Sequence, residues 1–130
     1  MRLLLDTHVF LWYITGDGQL SKTLLEHIRK PENEVFLSSV SLWETLIKHQ
    51  LGKLSLPESP DIYIPRQREK HLITGLPVTE THVAQLVNLP PIHRDPFDRM
   101  LICQALSEDL TLATVDRFVL RYPVNTLSAS

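Results

Sequence analysis

The chain has 130 residues, of which 43% are hydrophobic and 22% are charged, a composition typical of one globular domain. Its formal net charge of -2 argues against a surface coated in positive charge for nonspecific nucleic-acid binding, although it is compatible with a local basic groove. The single cysteine favours a reducing compartment. No apolar run approaches the roughly 18 residues of a spanning helix, and the N-terminus has no signal-peptide pattern, so we expect a cytoplasmic protein.

Strands and helices alternate in the predicted secondary structure. Apolar runs predict strands at residues 2–6, 34–38, 76–79, 110–115 and 124–127. Helical patterns cover residues 7–14, 21–30, 39–51, 60–73, 79–88 and 96–108, with Ser21 as an N-cap and Gly52 as a C-terminal stop. The alternation predicts an α/β fold with a parallel sheet covered on both faces. The proline-rich zones 56–60 and 88–96 are typical of loops, so we expect a single domain over residues 1–130.

Four acidic residues stand next to apolar segments. Asp6 and Asp116 each follow a predicted strand, and ligands of parallel sheets bind outside the carboxyl ends of the strands. Asp98 falls within the apolar arc of helix 96–108, at the helix start where the dipole favours a carboxylate. Glu44 lies about 20° beyond an apolar arc on helix 39–51. That arc is formed by Val40, Trp43, Ile47 and Leu51. Carboxylates near buried positions need a cationic partner, and a divalent metal is one candidate.

Each acid also has a purely structural interpretation. Asp6 and Asp116 are suited to capping the helices that follow them, and Asp95 and Asp98 to opening helix 96–108. Glu44 has Lys48 four residues further on, at the spacing of a helical ion pair. Capping explains neither an acid beside an apolar helix face nor two strand-terminal aspartates in one sheet.

The four acidic segments together resemble a known family. The segments LLLDTHV (residues 3–9), SSVSLWE (38–44), HRDPFDRML (93–101) and ATVD (113–116) resemble the acidic blocks of PIN-domain ribonucleases, and those of VapC-type toxins of type II toxin–antitoxin systems above all. The resemblance covers essentially the whole chain, and DPFDR is its most specific part. It implies a three-layer α/β/α sandwich with a mainly parallel sheet, Mg²⁺ or Mn²⁺ dependence and endonucleolytic cleavage of RNA. It also implies a homodimer and a small antitoxin that inserts into the active-site groove.

The resemblance assigns roles to individual residues. Asp6, Glu44, Asp98 and Asp116 match the acidic quartet, as catalytic residues and metal ligands. Thr114 matches the hydroxyl residue two positions before the last acid, and Asp95 and Arg99 are candidate supporting residues. Mg²⁺ prefers hard oxygen ligands, which a set of carboxylates supplies. Three arginines, Arg94, Arg99 and Arg117, are candidates for contacting the phosphate of a substrate. For each of them, a solvated position on the surface is equally compatible with the sequence.

Several alternatives remain open at the level of sequence. One is a catalytically silent PIN-like module that binds RNA or protein, and another is a solitary RNA-processing nuclease without an antitoxin. A phosphatase with Asp6 as nucleophile would need a second acid where His8 stands, and no histidine pair has zinc-site spacing. The apolar interface of the expected homodimer has five candidate residues, namely Leu24, Leu25, Ile28, Trp43 and Ile47. The alternative is that these residues complete the core of the monomer.

Overall fold

Five strands form one parallel sheet in the computed structural model, which describes residues 1–128. The strands are β1 (Arg2–Leu5), β2 (Glu34–Ser38), β3 (Thr74–Leu76), β4 (Thr111–Ala113) and β5 (Thr126–Leu127), in the spatial order β3-β2-β1-β4-β5. All four neighbouring pairs are parallel, and Leu5 of β1 stands opposite Ala113 of β4. The last residues of β1 and its neighbour β4 therefore lie side by side at the carboxyl end of the sheet.

Helices cover both faces of this sheet. They are α1 (Thr7–Thr15), α2 (Lys22–Arg29), α3 (Ser39–Gln50), α4 (Pro60–Lys70), α5 (Glu80–Ala84) and α6 (Pro96–Glu108), with 3₁₀ turns at Gln85–Asn88 and Val119–Arg121. Leu3 and Leu5 pack with α1, α2 and α4 in one core cluster, whereas Leu4 packs with α6 in the other. Alternate residues of a strand point to opposite faces, so two apolar layers result. The predicted α/β/α sandwich is confirmed. No helix among residues 1–128 has the length and apolar character needed to cross a membrane.

The predicted elements are all present, with shifted ends. The Ser21 hydroxyl accepts the Leu24 N–H at 3.1 Å, and Gly52 adopts a positive φ of 72° after α3, both as predicted. Strand β3 covers Thr74–Leu76 and not 76–79, because Pro77 has no N–H for a sheet hydrogen bond. Helix α4 ends at Lys70 and not at 73, because the backbone turns through a left-handed φ of 58° at Leu72. The remaining predicted helix, 79–88, divides into α5 and a 3₁₀ turn.

Helix α3 presents a partly different face to the interior from the predicted one. Trp43 and Leu51 belong to the predicted apolar arc, yet they are 57% and 64% exposed. Ser41, Glu44 and Thr45 are buried instead. The hydroxyls and the carboxylate on this face find hydrogen-bond partners inside the protein, which makes their burial tolerable. The predicted apolar arc therefore overlaps the buried face of α3 only in part, through Val40, which is 2% exposed.

The residues expected at a dimer interface fall into three groups. Leu24 and Ile28 are 0% and 6% exposed and belong to the core of the monomer, which was the alternative for these candidates. Leu25 and Ile47 are half-buried. Trp43 is exposed, with its ring edge-on to Phe97 at a centroid distance of 4.9 Å. The outer face of α3 around Trp43 is therefore the part of the expected interface that is accessible.

Candidate active site

Asp6 lies at the carboxyl end of β1, where it both caps a helix and faces a cavity. Its N–H continues the sheet by donating to the Ala113 carbonyl at 2.9 Å. Its Oδ1 accepts the His8 N–H at 3.2 Å and so caps α1, as its structural interpretation predicted. Its Oδ2 accepts the Thr114 hydroxyl at 2.7 Å. Thr114, predicted as a supporting residue, therefore fixes Asp6 from the neighbouring strand end.

Glu44 lies on the buried face of α3, and both of its oxygens have partners. The Thr7 hydroxyl donates to Oε1 at 2.8 Å, and Lys48 Nζ donates to Oε2 at 2.7 Å. The Thr7 Oγ1 is also 2.8 Å from Ser41 Oγ. Because the Thr7 proton goes to the carboxylate, Ser41 is the donor in that second contact. Glu44 is thus held by α1 and by its own helix.

Asp98 lies in the first turn of α6. The turn is capped by Asp95, whose Oδ1 accepts the N–H groups of Phe97 at 2.8 Å and of Asp98 at 3.3 Å. The Asp98 Oδ2 is 2.8 Å from Nε2 of His93, a residue of the loop before α6. Pro96 occupies the first helical position, where its missing N–H is not needed. In this first turn the side chain of Asp98 is buried.

Asp116 lies in the loop after β4. Its N–H donates to the Thr114 hydroxyl at 3.1 Å, so Thr114 contacts two of the four acids. Its Oδ1 accepts the N–H groups of Phe118 at 2.8 Å and of Val119 at 3.3 Å. Its Oδ2 is left facing His93, 3.7 Å from Nε2. Asp116 is therefore oriented by the turn that follows it, with one oxygen directed to the same place as Asp98.

The structure brings the four acids together in one cavity of about 480 Å³. Asp95 lines the cavity as well, whereas Thr114 does not line it and contacts it only through its hydrogen bonds to Asp6 and Asp116. The complete lining is formed by Asp6, His8, Trp12, Gln19, Glu44, Lys48, His93, Asp95, Asp98, Val115 and Asp116. The four carboxylates come from four separate segments of the chain, so local structure alone does not account for their meeting.

The arginines considered for phosphate binding lie outside that lining. Arg99 Nη1 donates to the Pro90 carbonyl at 3.1 Å and to Tyr122 Oη at 3.2 Å. The Arg99 guanidinium thus holds the loop before α6 and is not in the cavity. Within residues 1–128, the cavity is lined by one lysine, Lys48, and by neither Arg94 nor Arg117.

Six residues of the lining were not predicted as members of the site, and the side chains of two of them, His93 and Lys48, contact its acids. His93 entered the sequence analysis only in the HRDPFDRML segment and among the histidines without zinc-site spacing, and Lys48 only as the helical ion-pair partner of Glu44. The sequence signal for Lys48 was its i, i+4 spacing from an acid that is itself buried. The signal for His93 was its place immediately before the DPFDR segment. Neither signal is specific without the contacts that the fold creates.

The carboxyl groups of Asp98 and Asp6 are hard to ionise in this cavity. Burial, followed by the charges of Asp6 and Asp95, raises the pKa of Asp98 to about 7, and the hydrogen bond from His93 only partly opposes this. Burial also raises the pKa of Asp6, against the lowering effect of the Thr114 hydrogen bond. A bound cation would offset these costs, because it favours the charged form of each carboxylate. The donor set of hard oxygens therefore fits Mg²⁺ or Mn²⁺.

Residues 3–124 match the family model of the PIN domain. The chain belongs to the PIN domain family. This PIN domain therefore has the fold that the acidic segments of its sequence indicated. No curated protein sequence matches the chain.

Solved structures support the fold of this PIN domain along its full length. VapBC2 from Rickettsia felis bound to a DNA fragment from their promoter has a TM-score of 0.75 at 14% identity, with 100% of each chain covered. VapBC-1 from nontypeable Haemophilus influenzae has a TM-score of 0.68 at 18% identity, with 98% of each chain covered. DNA-bound VapBC from Salmonella typhimurium has a TM-score of 0.66 at 17% identity, also with 98% of each covered.

Proposed function

We propose that this PIN domain is a cytoplasmic, metal-dependent endoribonuclease and the toxin component of a type II toxin–antitoxin system. The observation that carries the proposal is the meeting of four carboxylates in one cavity at the carboxyl edge of the sheet. Family membership adds support, because the acids occupy the segments that resemble PIN-domain ribonucleases. A catalytically silent binding module would not need to keep four mutually repelling carboxylates together.

Asp6, Asp98 and Asp116, together with Glu44, are the residues that would hold Mg²⁺ or Mn²⁺. When bound, the cation makes water a better nucleophile and offsets negative charge on the phosphate undergoing cleavage. Thr114 orients Asp6, and the turn after Asp116 orients that carboxylate. Lys48 offsets the charge of Glu44 and supplies a cation at the wall of the cavity, where a phosphate group of RNA would need one.

Cleavage of RNA by the purified protein tests this proposal. We expect EDTA to abolish cleavage, and Mg²⁺ or Mn²⁺ to restore it. Asp6→Asn and Asp98→Asn should each remove activity while the protein stays folded, because amide oxygens bind divalent cations less strongly than carboxylates. Asp109→Asn is a matched control, since it makes the same chemical change at an exposed residue at the end of α6. Full cleavage by Asp98→Asn in a preparation free of contaminating nuclease would refute the assignment.

We also propose a small antitoxin as the partner that covers this cavity. An arginine of such a partner could pair with the carboxylates through two parallel hydrogen bonds and compete with the metal. The similar solved structures are themselves VapBC structures, which supports the idea for this chain. The test is to co-express the chain with the small gene adjacent to its own. A copurifying product should block RNA binding and lower Mn²⁺ affinity together, whereas a complex that still binds Mn²⁺ at full affinity and cleaves RNA would contradict the proposal.

The third part of the proposal is a homodimer. The exposed indole of Trp43 packs edge-on with Phe97 and offers an apolar surface on the outer face of α3. Burial of large aromatic side chains contributes much of the free energy of association at protein interfaces. Light scattering at micromolar concentration should give twice the mass of 15.0 kDa, and Trp43→Glu should reduce it to the monomer. A monomeric wild-type chain would contradict this part alone.

A further inference from the structure

His93 bridges two of the four acids. Its Nε2 lies 2.8 Å from Oδ2 of Asp98 and 3.7 Å from Oδ2 of Asp116. One of these acids belongs to the first turn of α6, and the other to the loop after β4. The donor atoms of all three side chains lie within 4.8 Å of one another, a spacing that is also compatible with a shared metal ion. His93 is therefore either a ligand itself or a residue that arranges ligands.

The hydrogen bonds of the ring decide between these two roles. Nδ1 of His93 accepts the N–H of Arg94 at 3.2 Å, so the proton of the neutral ring lies on Nε2. Nε2 is then a donor to Asp98 and has no lone pair free for a metal ion. The contacts therefore favour a residue that fixes the carboxylates over a residue that binds the cation.

The surroundings of His93 hold the ring in this position. The ring stacks on Phe118, with an interplanar angle of 16° and a centroid distance of 4.9 Å. The backbone N–H of His93 donates to Tyr122 Oη at 2.7 Å, and the same oxygen accepts from Arg99 at 3.2 Å. Arg99 thereby connects α6 to the loop that carries His93. The ring is fixed both through its face and through its backbone.

We propose that His93 is a positioning residue, which holds Asp98 through its Nε2–H and sets the distance between Asp98 and Asp116 by lying between them. The inference rests on the proposed function, because it concerns the same metal-binding cavity. By donating to one oxygen of Asp98, His93 leaves the other oxygen available for the cation. By lying between the two segments, it keeps them at a distance that one cation can bridge. Groups that hold metal ligands in this way typically contribute about 10–100-fold to metal affinity or activity.

Two substitutions separate the donor from the ring. His93→Phe keeps an aromatic ring to stack on Phe118 but removes the N–H. His93→Gln keeps an amide N–H near the position of Nε2 but removes the ring. We expect His93→Phe to weaken Mn²⁺ binding by about 10-fold or more, and His93→Gln to retain most of the wild-type affinity. His27→Phe, on α2 and outside the cavity lining, is the matched control and should bind Mn²⁺ like the wild type.

Electron paramagnetic resonance of Mn²⁺ gives both required measurements. Titration of the free-ion signal yields the affinity of each variant without any measurement of catalysis, and thermal unfolding verifies that each variant is folded. Echo modulation of bound Mn²⁺ in the wild type should show no coupling to a directly bound nitrogen. His8 also lines the cavity, so any such coupling is assigned by comparison with His93→Phe. A coupling that disappears in His93→Phe would overturn the inference, because it would make His93 a ligand. Equal affinities of wild type and His93→Phe would overturn it as well.

The outcomes for His93 are distinguishable from a failure of the proposed function. If the wild type binds Mn²⁺ and cleaves RNA while His93→Phe matches it, only the positioning role is wrong. If the wild type neither binds Mn²⁺ nor cleaves RNA, the proposed function fails and the inference fails with it. Loss of binding in both His93→Phe and His93→Gln, with the fold retained, would also contradict a role that depends on the donated N–H.

Discussion

At the scale of single residues, structural and functional interpretations of an acid turn out to be compatible. Asp6 caps α1 with one oxygen and receives Thr114 with the other, and Asp116 orients its turn with one oxygen and faces His93 with the other. A carboxylate has two oxygens and about four acceptor positions, so a cap does not use up its capacity. Capping here serves the site, because it fixes which oxygen points into the cavity.

Asp98 makes the metal-free protein sensitive to pH. Its pKa of about 7 in the folded protein lies well above the ordinary 3.8, so between these values the folded state holds a proton that the unfolded state has lost. Unfolding then releases a proton, and stability falls as pH rises from about 4 to about 7, by at most about 1.4 kcal/mol per pH unit. Above pH 7 the charged carboxylate has its full destabilising effect.

Asp98→Asn should therefore stabilise the metal-free protein at pH 8. The amide has no charge to bury, and its oxygen can still accept the proton of His93 Nε2. We expect a gain on the order of 2 kcal/mol at pH 8, and a smaller gain at pH 5. Urea unfolding in EDTA at both pH values measures this effect, with Asp109→Asn as the control. A pH dependence of stability unchanged by Asp98→Asn would contradict the assigned source.

Lys48 and Glu44 should be energetically coupled. Lys48→Met leaves a buried carboxylate with only the Thr7 hydroxyl, which should cost about 1–3 kcal/mol, between the values for surface and buried ion pairs. In the Glu44→Gln background the same change should cost much less. A double-mutant cycle gives the coupling free energy. The exposed pair Arg66–Glu58, also 2.7 Å apart, is the control and should give less than about 1 kcal/mol. Equal coupling in the two pairs would contradict this account.

The candidate ligands were predictable as residues, but their partners were not. Asp6 and Asp116 could be placed because each follows an apolar run, and the end of a strand is visible in sequence. His93 and Lys48 were not predicted members of the site. The position of His93 depends on Phe118 and Tyr122, which are distant in sequence, and no local pattern encodes such contacts.

At the scale of elements, apolar runs located β1, β2 and β4, whereas hydrophobic periodicity gave only part of the buried face of α3. The runs that became β1, β2 and β4 are buried on both faces, so their apolar character does not depend on orientation. A helix can pack with any of its faces toward the core, and the buried face of α3 carries Ser41, Glu44 and Thr45 beside Val40. Hydrogen bonds inside the protein compensate the burial of these polar groups, a term that a count of apolar residues omits.

The polar contact between α1 and α3 can be tested through Thr7. Thr7→Val keeps the shape of the side chain but leaves the Glu44 Oε1 and the Ser41 hydroxyl without their partner. The cost of losing a buried hydrogen-bond partner is about 1–3 kcal/mol. Urea unfolding measures it, and Thr23→Val, an exposed position on α2, should change stability by less than about 0.5 kcal/mol. If Thr7→Val were as mild as Thr23→Val, α3 would owe its orientation to other contacts.

At the scale of the whole molecule, the strand order creates the site. The order β3-β2-β1-β4-β5 places the end of β1 beside the end of β4, although more than a hundred residues separate Asp6 from Thr114 in the chain. Alternation of strands and helices predicted a parallel sheet but not this order, because each βαβ connection can lead to either side of the preceding strand. The convergence of the acids was expected from their shared edge, and the sheet topology is its physical cause.

Because the acids meet only in the folded chain, metal binding should stabilise the whole domain. In the unfolded chain the same carboxylates are separated by up to 110 positions of sequence and form no comparable site. Mn²⁺ at 100 times its dissociation constant should therefore add about 2.7 kcal/mol to the free energy of unfolding. Protons compete with the metal for Asp98, so at one fixed Mn²⁺ concentration the increment should be larger at pH 8 than at pH 5. Differential scanning calorimetry with Mn²⁺, and again after EDTA, measures the increment and its reversal. Asp98→Asn should lose most of it, whereas Asp109→Asn should keep it. A melting temperature unaffected by Mn²⁺ at every pH would mean that the cavity does not bind the ion.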